Sequence, residues 1–264
     1  MRSAIITLTT DFGLRDPYVA EMKAVILGIC PEARIVDVSH GIAKFDVRMG
    51  AYTLACAAPY FPEETIHVAV VDPSVGTKRH SIIIQTKRAR YVGPDNGLLI
   101  LAASRENIEH VYEVTNREFM LPKTSNTFHG RDVFAPAAAH LANGIEPNRF
   151  GPEICKITMP SYAKTAIRKN MLLGEILHTD GFGNIITNFR EEEFASAKAA
   201  EKIKVKLENR KLELKRCRVY VEGQARKPIA LIGSHGYLEI SVNKGNAARM
   251  LGTKSGDKVT LYLR

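Results

Sequence analysis

The feature that most constrains this chain is a change of rhythm midway along it. Up to about residue 150, β-branched runs alternate with stretches of helical spacing; past about residue 170, short strand-like runs follow one another and helix signals thin out. The first rhythm predicts an α/β N-terminal domain with a largely parallel central sheet flanked by helices. The second predicts a smaller antiparallel β-rich C-terminal domain. The expected boundaries are 1–150 and 171–264, with a turn-rich connector at 151–170 that carries Gly151-Pro152 and Met159-Pro160. Strands are expected at 4–9, 34–38, 66–71, 81–86 and 90–92, and helices at 18–29, 47–58 and after Arg131-Asp132. Asp16 is expected to cap the first helix, with Pro17 at its first position. In the second half, strands are expected at 172–178, 202–207, 211–221, 229–232, 237–242 and 258–263.

Composition narrows the functional classes. No apolar run approaches the roughly 18 residues a membrane helix needs, and the N-terminal apolar segment is too short for a signal peptide, so a cytoplasmic location is expected. Cys30, Cys56, Cys155 and Cys217 are scattered, without C-x-x-C or His spacing; neither zinc nor a disulfide is expected. The net charge of +9 admits nucleic acid as a partner. However, the lysines of Lys202-Ile203-Lys204-Val205-Lys206 alternate with apolar residues and read as the wet face of a strand, with no interleaved aromatic side chains to stack on bases.

Three strands end in acidic turns: Thr10-Asp11, Val71-Asp72 and Pro94-Asp95-Asn96. Ligands of open α/β sheets bind beyond the carboxyl ends of the strands. If the three are parallel neighbours, Asp11, Asp72 and Asp95 converge on one crevice, although any single Asp also serves as an ordinary turn residue. Dinucleotide, P-loop and nucleophile-elbow motifs are missing. His129, just before a helix signal, suits either an acid–base or a capping role.

Taken in order, Thr9-Thr10-Asp11-Phe12-Gly13 with Asp16-Pro17-Tyr18, Val71-Asp72-Pro73-Ser74-Val75-Gly76, Gly93-Pro94-Asp95-Asn96-Gly97, Phe128-His129-Gly130-Arg131-Asp132, Asp180-Gly181-Phe182-Gly183-Asn184 and Ser234-His235-Gly236-Tyr237-Leu238-Glu239 resemble the S-adenosylmethionine hydroxide adenosyltransferases. These are relatives of the fluorinase and chlorinase enzymes. The resemblance spans nearly the whole chain. It implies adenosine-forming hydrolysis of S-adenosylmethionine by attack of water at C5′, with Asp72, Arg79 and His129 as the catalytic set. It also implies substrate contacts from Asp11 (ribose hydroxyls), Asp16, Asn96, Phe128, Asp180 (methionine ammonium), Phe182 (adenine face), Asn184, Ser234 (methionine carboxylate), Tyr237, Asn246 and Ala247. Two places depart from the fluorinase pattern: the run around Phe182 is one residue shorter, and residues 242–245 are inserted before Asn246.

No cofactor or metal is implied, since S-adenosylmethionine is itself the substrate. The resemblance further implies a homotrimer, with substrate held between one subunit's N-terminal domain and its neighbour's C-terminal domain, and neither nucleic acid nor membrane as partner. Gly130 stands where the fluorinase has a halide-contacting serine. The alternatives are a halide-dependent enzyme and a non-catalytic S-adenosylmethionine or adenosine sensor.

Overall fold

The computed structural model describes residues 3–193, 201–208 and 210–263. It divides into two units at Met159/Pro160. In the first, β1 (Ile5–Thr10), β2 (Arg34–Ser39), β3 (Thr65–Val70), β4 (Ser81–Thr86), β5 (Ala89–Pro94) and β6 (Ile108–Glu113) form one sheet in the order β2-β1-β3-β5-β4-β6. β2, β1, β3 and β5 run parallel; β4 pairs antiparallel with both β5 and β6. The sheet is therefore mixed, because β4 and β5 are joined by a hairpin with no room for a crossover helix.

β1 and β3 lie inside the sheet and are buried on both faces, as strands covered on both sides are; the polar Thr7 and His67 on one face bond each other at 2.8 Å. Ile6, Leu8, Val68, Val70 and Val92 share a core with Met22 and Ile26 of α1 (Tyr18–Ile29) and the alanines of α4 (Ala135–Ala142). Val19, Met22 and Ile26 bury one stripe of α1 at helical spacing. Asp16 makes no cap: the helix starts after Pro17 without a side-chain hydrogen bond, and Asp16 is exposed. α2 (Val47–Ala57) is capped, with the Met49 N–H donating to Asp46 Oδ1 at 2.9 Å; it packs on β1, β2 and α3 (Ile100–Ala103).

A π-helical turn, Gly130–Phe134, leads into α4, and Pro136 explains it. Proline has no N–H, and its ring crowds the carbonyl four residues back. That carbonyl, on Asp132, instead accepts the Leu121 N–H at 2.9 Å.

Residues 151–158, expected in a connector, belong to the first unit. Glu153 bridges to Tyr112, and the Ile154 N–H donates to the Val111 carbonyl. The second unit is a sheet in the order β14-β10-β11-β12-β13-β9-β8-β7: β7 (Ala166–Arg168), β8 (Met171–Thr179), β9 (Ile185–Arg190), β10 (Lys202–Leu207), β11 (Arg210–Arg216), β12 (Pro228–Ile232), β13 (Tyr237–Val242) and β14 (Lys258–Tyr262). β14 also pairs with β8, which closes seven strands into a barrel-like ring. Closure leaves no open edge between those seven. All pairings are antiparallel except β11–β12, where the link through residues 217–227 replaces a tight hairpin. Ile203, Val205, Leu207, Ile240 and Leu261 fill the interior, while Lys202 and Lys204 face solvent. α5 (Ala247–Leu251), unforeseen in the sequence, starts at Asn246, whose Oδ1 accepts the Arg249 N–H at 2.7 Å.

Candidate active site

β1 and β3 are adjacent and parallel, so Asp11 and Asp72, just past their carboxyl ends, face one cavity of about 610 Å³ in the first unit. Asp95, past β5, does not join them. Its Oδ1 instead accepts the Thr158 N–H at 2.7 Å, and its carbonyl accepts the Thr158 hydroxyl. The sheet edge fixes where a residue stands, not where its side chain turns.

Two residues of the cavity wall, Asp72 and His129, are joined into a chain of three side chains by Arg79, which does not itself line the cavity. Arg79 Nε donates to Asp72 Oδ2 at 2.9 Å, and Nη2 bonds the same oxygen. Nη2 also donates to His129 Nδ1 at 2.9 Å, and Nη1 donates to Ser81 Oγ at 2.8 Å and the His80 carbonyl at 3.3 Å. All of the guanidinium N–H groups are thereby engaged. Asp72 and Arg79 side chains are 5% and 7% exposed, so the pair is sheltered from water. Because guanidinium only donates, Nδ1 of His129 must accept; the ring is neutral and carries its proton on Nε2. Burial and the Arg79 charge both hold the His129 pKa below its usual 6.5, in keeping with that state.

Gly76 lets the loops carrying these groups meet. Its φ is +77°, and a Cβ there would lie 2.3 Å from the Asn126 carbonyl oxygen. One part of the wall is aromatic. Phe128 stands edge-on to Phe12 and Tyr18, at 5.6 Å and 5.2 Å between ring centres.

Asp11 is buried, with Oδ2 accepting the Phe45 N–H at 2.9 Å and its carbonyl accepting from Lys44 Nζ at 2.6 Å. Phe45 and Lys44 line the cavity and are missed by sequence reasoning. Phe45 takes φ +66°, uncommon for an aromatic residue, which turns its amide toward the carboxylate. The one sequence signal for it is an aromatic side chain inside the polar run Lys44-Phe45-Asp46. Of the other residues expected here, Asp16 is exposed and outside the cavity wall. Asn96 donates from Nδ2 to the Val71 carbonyl at 2.9 Å and so supports the strand end beneath Asp72.

A second group gathers in the barrel unit. The turn between β8 and β9 is closed by Asp180: Oδ1 accepts the Phe182 and Asn184 N–H groups at 3.0 and 2.8 Å, and Oδ2 accepts from Asn184 Nδ2 at 2.8 Å. Gly183 (φ +83°) leaves room for Asn246, whose side chain a Cβ there would overlap; the Ala248 N–H donates to the Gly183 carbonyl. Asp180, Phe182, Asn184, Asn246 and Ala247 thus share one neighbourhood, and Phe182 is 80% exposed. Ser234 is exposed in the turn before β13 and Tyr237 is buried at the start of that strand. Glu239 is buried; Tyr220 donates to its Oε2 at 3.0 Å, and burial, with the Asp180 charge, raises its pKa. No cluster of His, Cys, Asp and Glu suited to a metal occurs among the described residues, and no helix among them is long and apolar enough to cross a membrane.

Fold and site define a class: a two-unit chain whose α/β part sets the carboxylate and imidazole ends of a guanidinium-bridged chain into the wall of a ligand-sized cavity of mixed aromatic and charged lining. Comparison with known proteins gives the family. Residues 6–151 match the SAM hydroxide adenosyltransferase N-terminal domain, and residues 174–260 match the C-terminal domain of the same family. The chain belongs to the SAM hydroxide adenosyltransferase family. It is 38% identical to the (R)-S-adenosyl-L-methionine hydrolase of Methanocaldococcus jannaschii, over 97% of this chain and 95% of that protein. To the protein of the same name from Thermus thermophilus it is 39% identical, over 96% and 97%. A fluorinase from an Actinoplanes species is more distant, at 28% over 97% of each. An uncharacterized conserved protein from Thermotoga maritima, solved by crystallography, superposes with a TM-score of 0.87 at 34% identity, over 98% of this chain and 99% of that one.

Proposed function

We propose that this chain hydrolyses S-adenosyl-L-methionine to adenosine and methionine by in-line attack of water at C5′. The observation that carries the reading is the Asp72–Arg79–His129 chain, whose two ends line the cavity, in a protein at 38% identity to one named (R)-S-adenosyl-L-methionine hydrolase. That name specifies the (R) sulfonium epimer, and (R)-S-adenosyl-L-methionine is the proposed substrate.

The proton inventory assigns the roles. Free water has a pKa near 15.7, so prior deprotonation is costly. Attack by neutral water needs a base only as the C5′–O bond forms. Arg79 has no lone pair to offer, and the His129 lone pair is held by Arg79. Asp72 accepts from Arg79 and Ser74, but its carboxylate has four lone-pair sites and keeps one for the proton, while the Nε2–H of His129 orients the water. The C5′–S bond breaks as C5′–O forms, its electron pair passes to sulfur, and the sulfonium becomes neutral methionine thioether. One proton is released for each turnover. Positioning supplies most of the acceleration, because the sulfonium is already a good leaving group.

Asp11 holds the ribose hydroxyls; with Oδ2 accepting from Phe45, lone pairs on Oδ1 remain for them. Asp180 receives the methionine ammonium, Ser234 its carboxylate, Phe182 the adenine face, and Asn184 with Asn246 and Ala247 the adenine edge. The two groups of residues serve one substrate in a homotrimer, each site taking its N-terminal residues from one subunit and its C-terminal residues from a neighbour. Halide chemistry is less supported. A side chain at position 130 would meet the Phe128 ring at 3.1 Å and Met22 sulfur at 3.3 Å, which disfavours a serine there.

The test is incubation with each sulfonium epimer, with and without chloride or fluoride, followed by chromatography. Halide-independent adenosine from the (R) epimer supports the reading. Tight binding with no product would indicate a sensor, and a 5′-halo-adenosine a halogenase.

A further inference from the structure

Asp132 is fully buried and does not line the cavity, yet it ties together the segment that does. Its Oδ2 accepts the Ser125 N–H at 2.7 Å, its own N–H donates to the Phe128 carbonyl at 3.1 Å, and its carbonyl accepts the Leu121 N–H. Both ends of the loop bearing Thr127, Phe128 and His129 are thus fastened to one residue. Arg131 extends the clamp. Its Nε donates to Asp132 Oδ1 at 2.6 Å, its Nη1 donates to Glu21 of α1 at 2.7 Å, and its guanidinium lies over the Phe128 ring at 5.1 Å. A buried carboxylate is retained at a desolvation cost unless fully bonded, and here both oxygens are. The π turn that Pro136 forces releases the Asp132 carbonyl for Leu121, so the backbone and the side chain of this residue serve the same end.

We propose that Asp132, with Arg131 as its outer arm, is a positioning residue that sets His129 on Arg79 and thereby controls the rate of hydrolysis rather than substrate binding. This rests on the hydrolase reading above. Misplacing a catalytic group by about 1 Å costs on the order of 100-fold in rate, so a clamp of this kind acts on kcat. The charges facing His129 are Arg79, which disfavours its protonation, and Asp72 and Asp132, which favour it.

The experiment is Asp132→Asn in the full-length protein, measuring kcat, the Kd for adenosine and the pH dependence of kcat. The carboxamide keeps the shape but turns an N–H₂ or a single acceptor toward Arg131. A fall in kcat of about tenfold or more, with adenosine Kd within about threefold and the acid limb of kcat displaced to lower pH, supports the proposal. Unchanged kcat and limb, or kcat and Kd weakening in step, overturns it. Should Asp132→Asn not fold, Arg131→Gln serves, its side chain being one-third exposed although it lines the cavity: reduced kcat with adenosine Kd within about threefold supports the clamp, and full kcat, or kcat and Kd weakening in step, overturns it. A wild-type protein that makes no adenosine would overturn the underlying reading instead, and this is seen before any variant is compared.

Discussion

Arg79 donates from Nη2 to Nδ1 of His129 at 2.9 Å, and this single bond fixes the imidazole as a neutral ring protonated on Nε2. The pH dependence follows. The His129 pKa is lowered by burial and by Arg79, so the neutral form persists below the usual 6.5. Falling pH protonates Nδ1, breaks the bond and places two cations side by side. Turnover is therefore expected to be lost on the acid side with a midpoint below 6.5, and to be insensitive to His129 above it. A kcat profile whose acid limb centres above 6.5, or stays at the same pH in His129→Asn, contradicts this assignment.

Replacing Arg79 by lysine keeps the charge and loses the fork. An ammonium offers one nitrogen and cannot reach Asp72, His129 and Ser81 together. Arg79→Lys is expected to lower kcat by on the order of 100-fold, with the Kd for adenosine changed by less than about threefold. Isothermal titration beside steady-state kinetics separates the two, and a variant with wild-type kcat would remove Arg79 from the mechanism.

Asp11→Ala acts on the other quantity. A hydrogen bond to a charged group is worth about 1.5–3 kcal/mol, so the Kd for adenosine and the KM for S-adenosylmethionine are each expected to rise about 10- to 100-fold. Undiminished adenosine affinity would mean that the ribose does not meet Asp11.

Gly76→Ala tests the packing of the catalytic loops. The left-handed backbone costs about 1 kcal/mol for a residue with a side chain, and the Cβ would strike the Asn126 carbonyl. Lower Tm and reduced kcat are expected together. A variant as stable and active as wild type would show that residues 72–79 can settle elsewhere without harm.

The sequence made the central strands legible because β1 and β3 are buried on both faces and read as runs rich in β-branched residues without alternation of exposed polar positions. β6 escaped notice because it is an edge strand whose Glu109 and His110 are exposed, and α5 because five residues carry too little periodicity. β9 follows the Asp180–Asn184 turn directly, and its polar Thr187 and Asn188 interrupt the apolar pattern although both are buried; Asn188 accepts the Glu175 N–H and Thr187 donates to the Leu238 carbonyl. At the cavity, Asp11 and Asp72 were legible from strand ends alone. The direction of Asp95 depended on Thr158, far away in sequence, and the failure of Asp16 to cap depended on a helix that begins at Tyr18 without it. Phe45 reached the site through a backbone conformation that no motif encodes.

The most direct test of the account is turnover of (R)-S-adenosyl-L-methionine in ¹⁸O-water, read by mass spectrometry of the products. Attack of water at C5′ places one ¹⁸O in adenosine, at the 5′ hydroxyl, and leaves methionine unlabelled. Unlabelled adenosine, or no adenosine from a protein shown to bind the substrate, would contradict water as the nucleophile held by Asp72, Arg79 and His129.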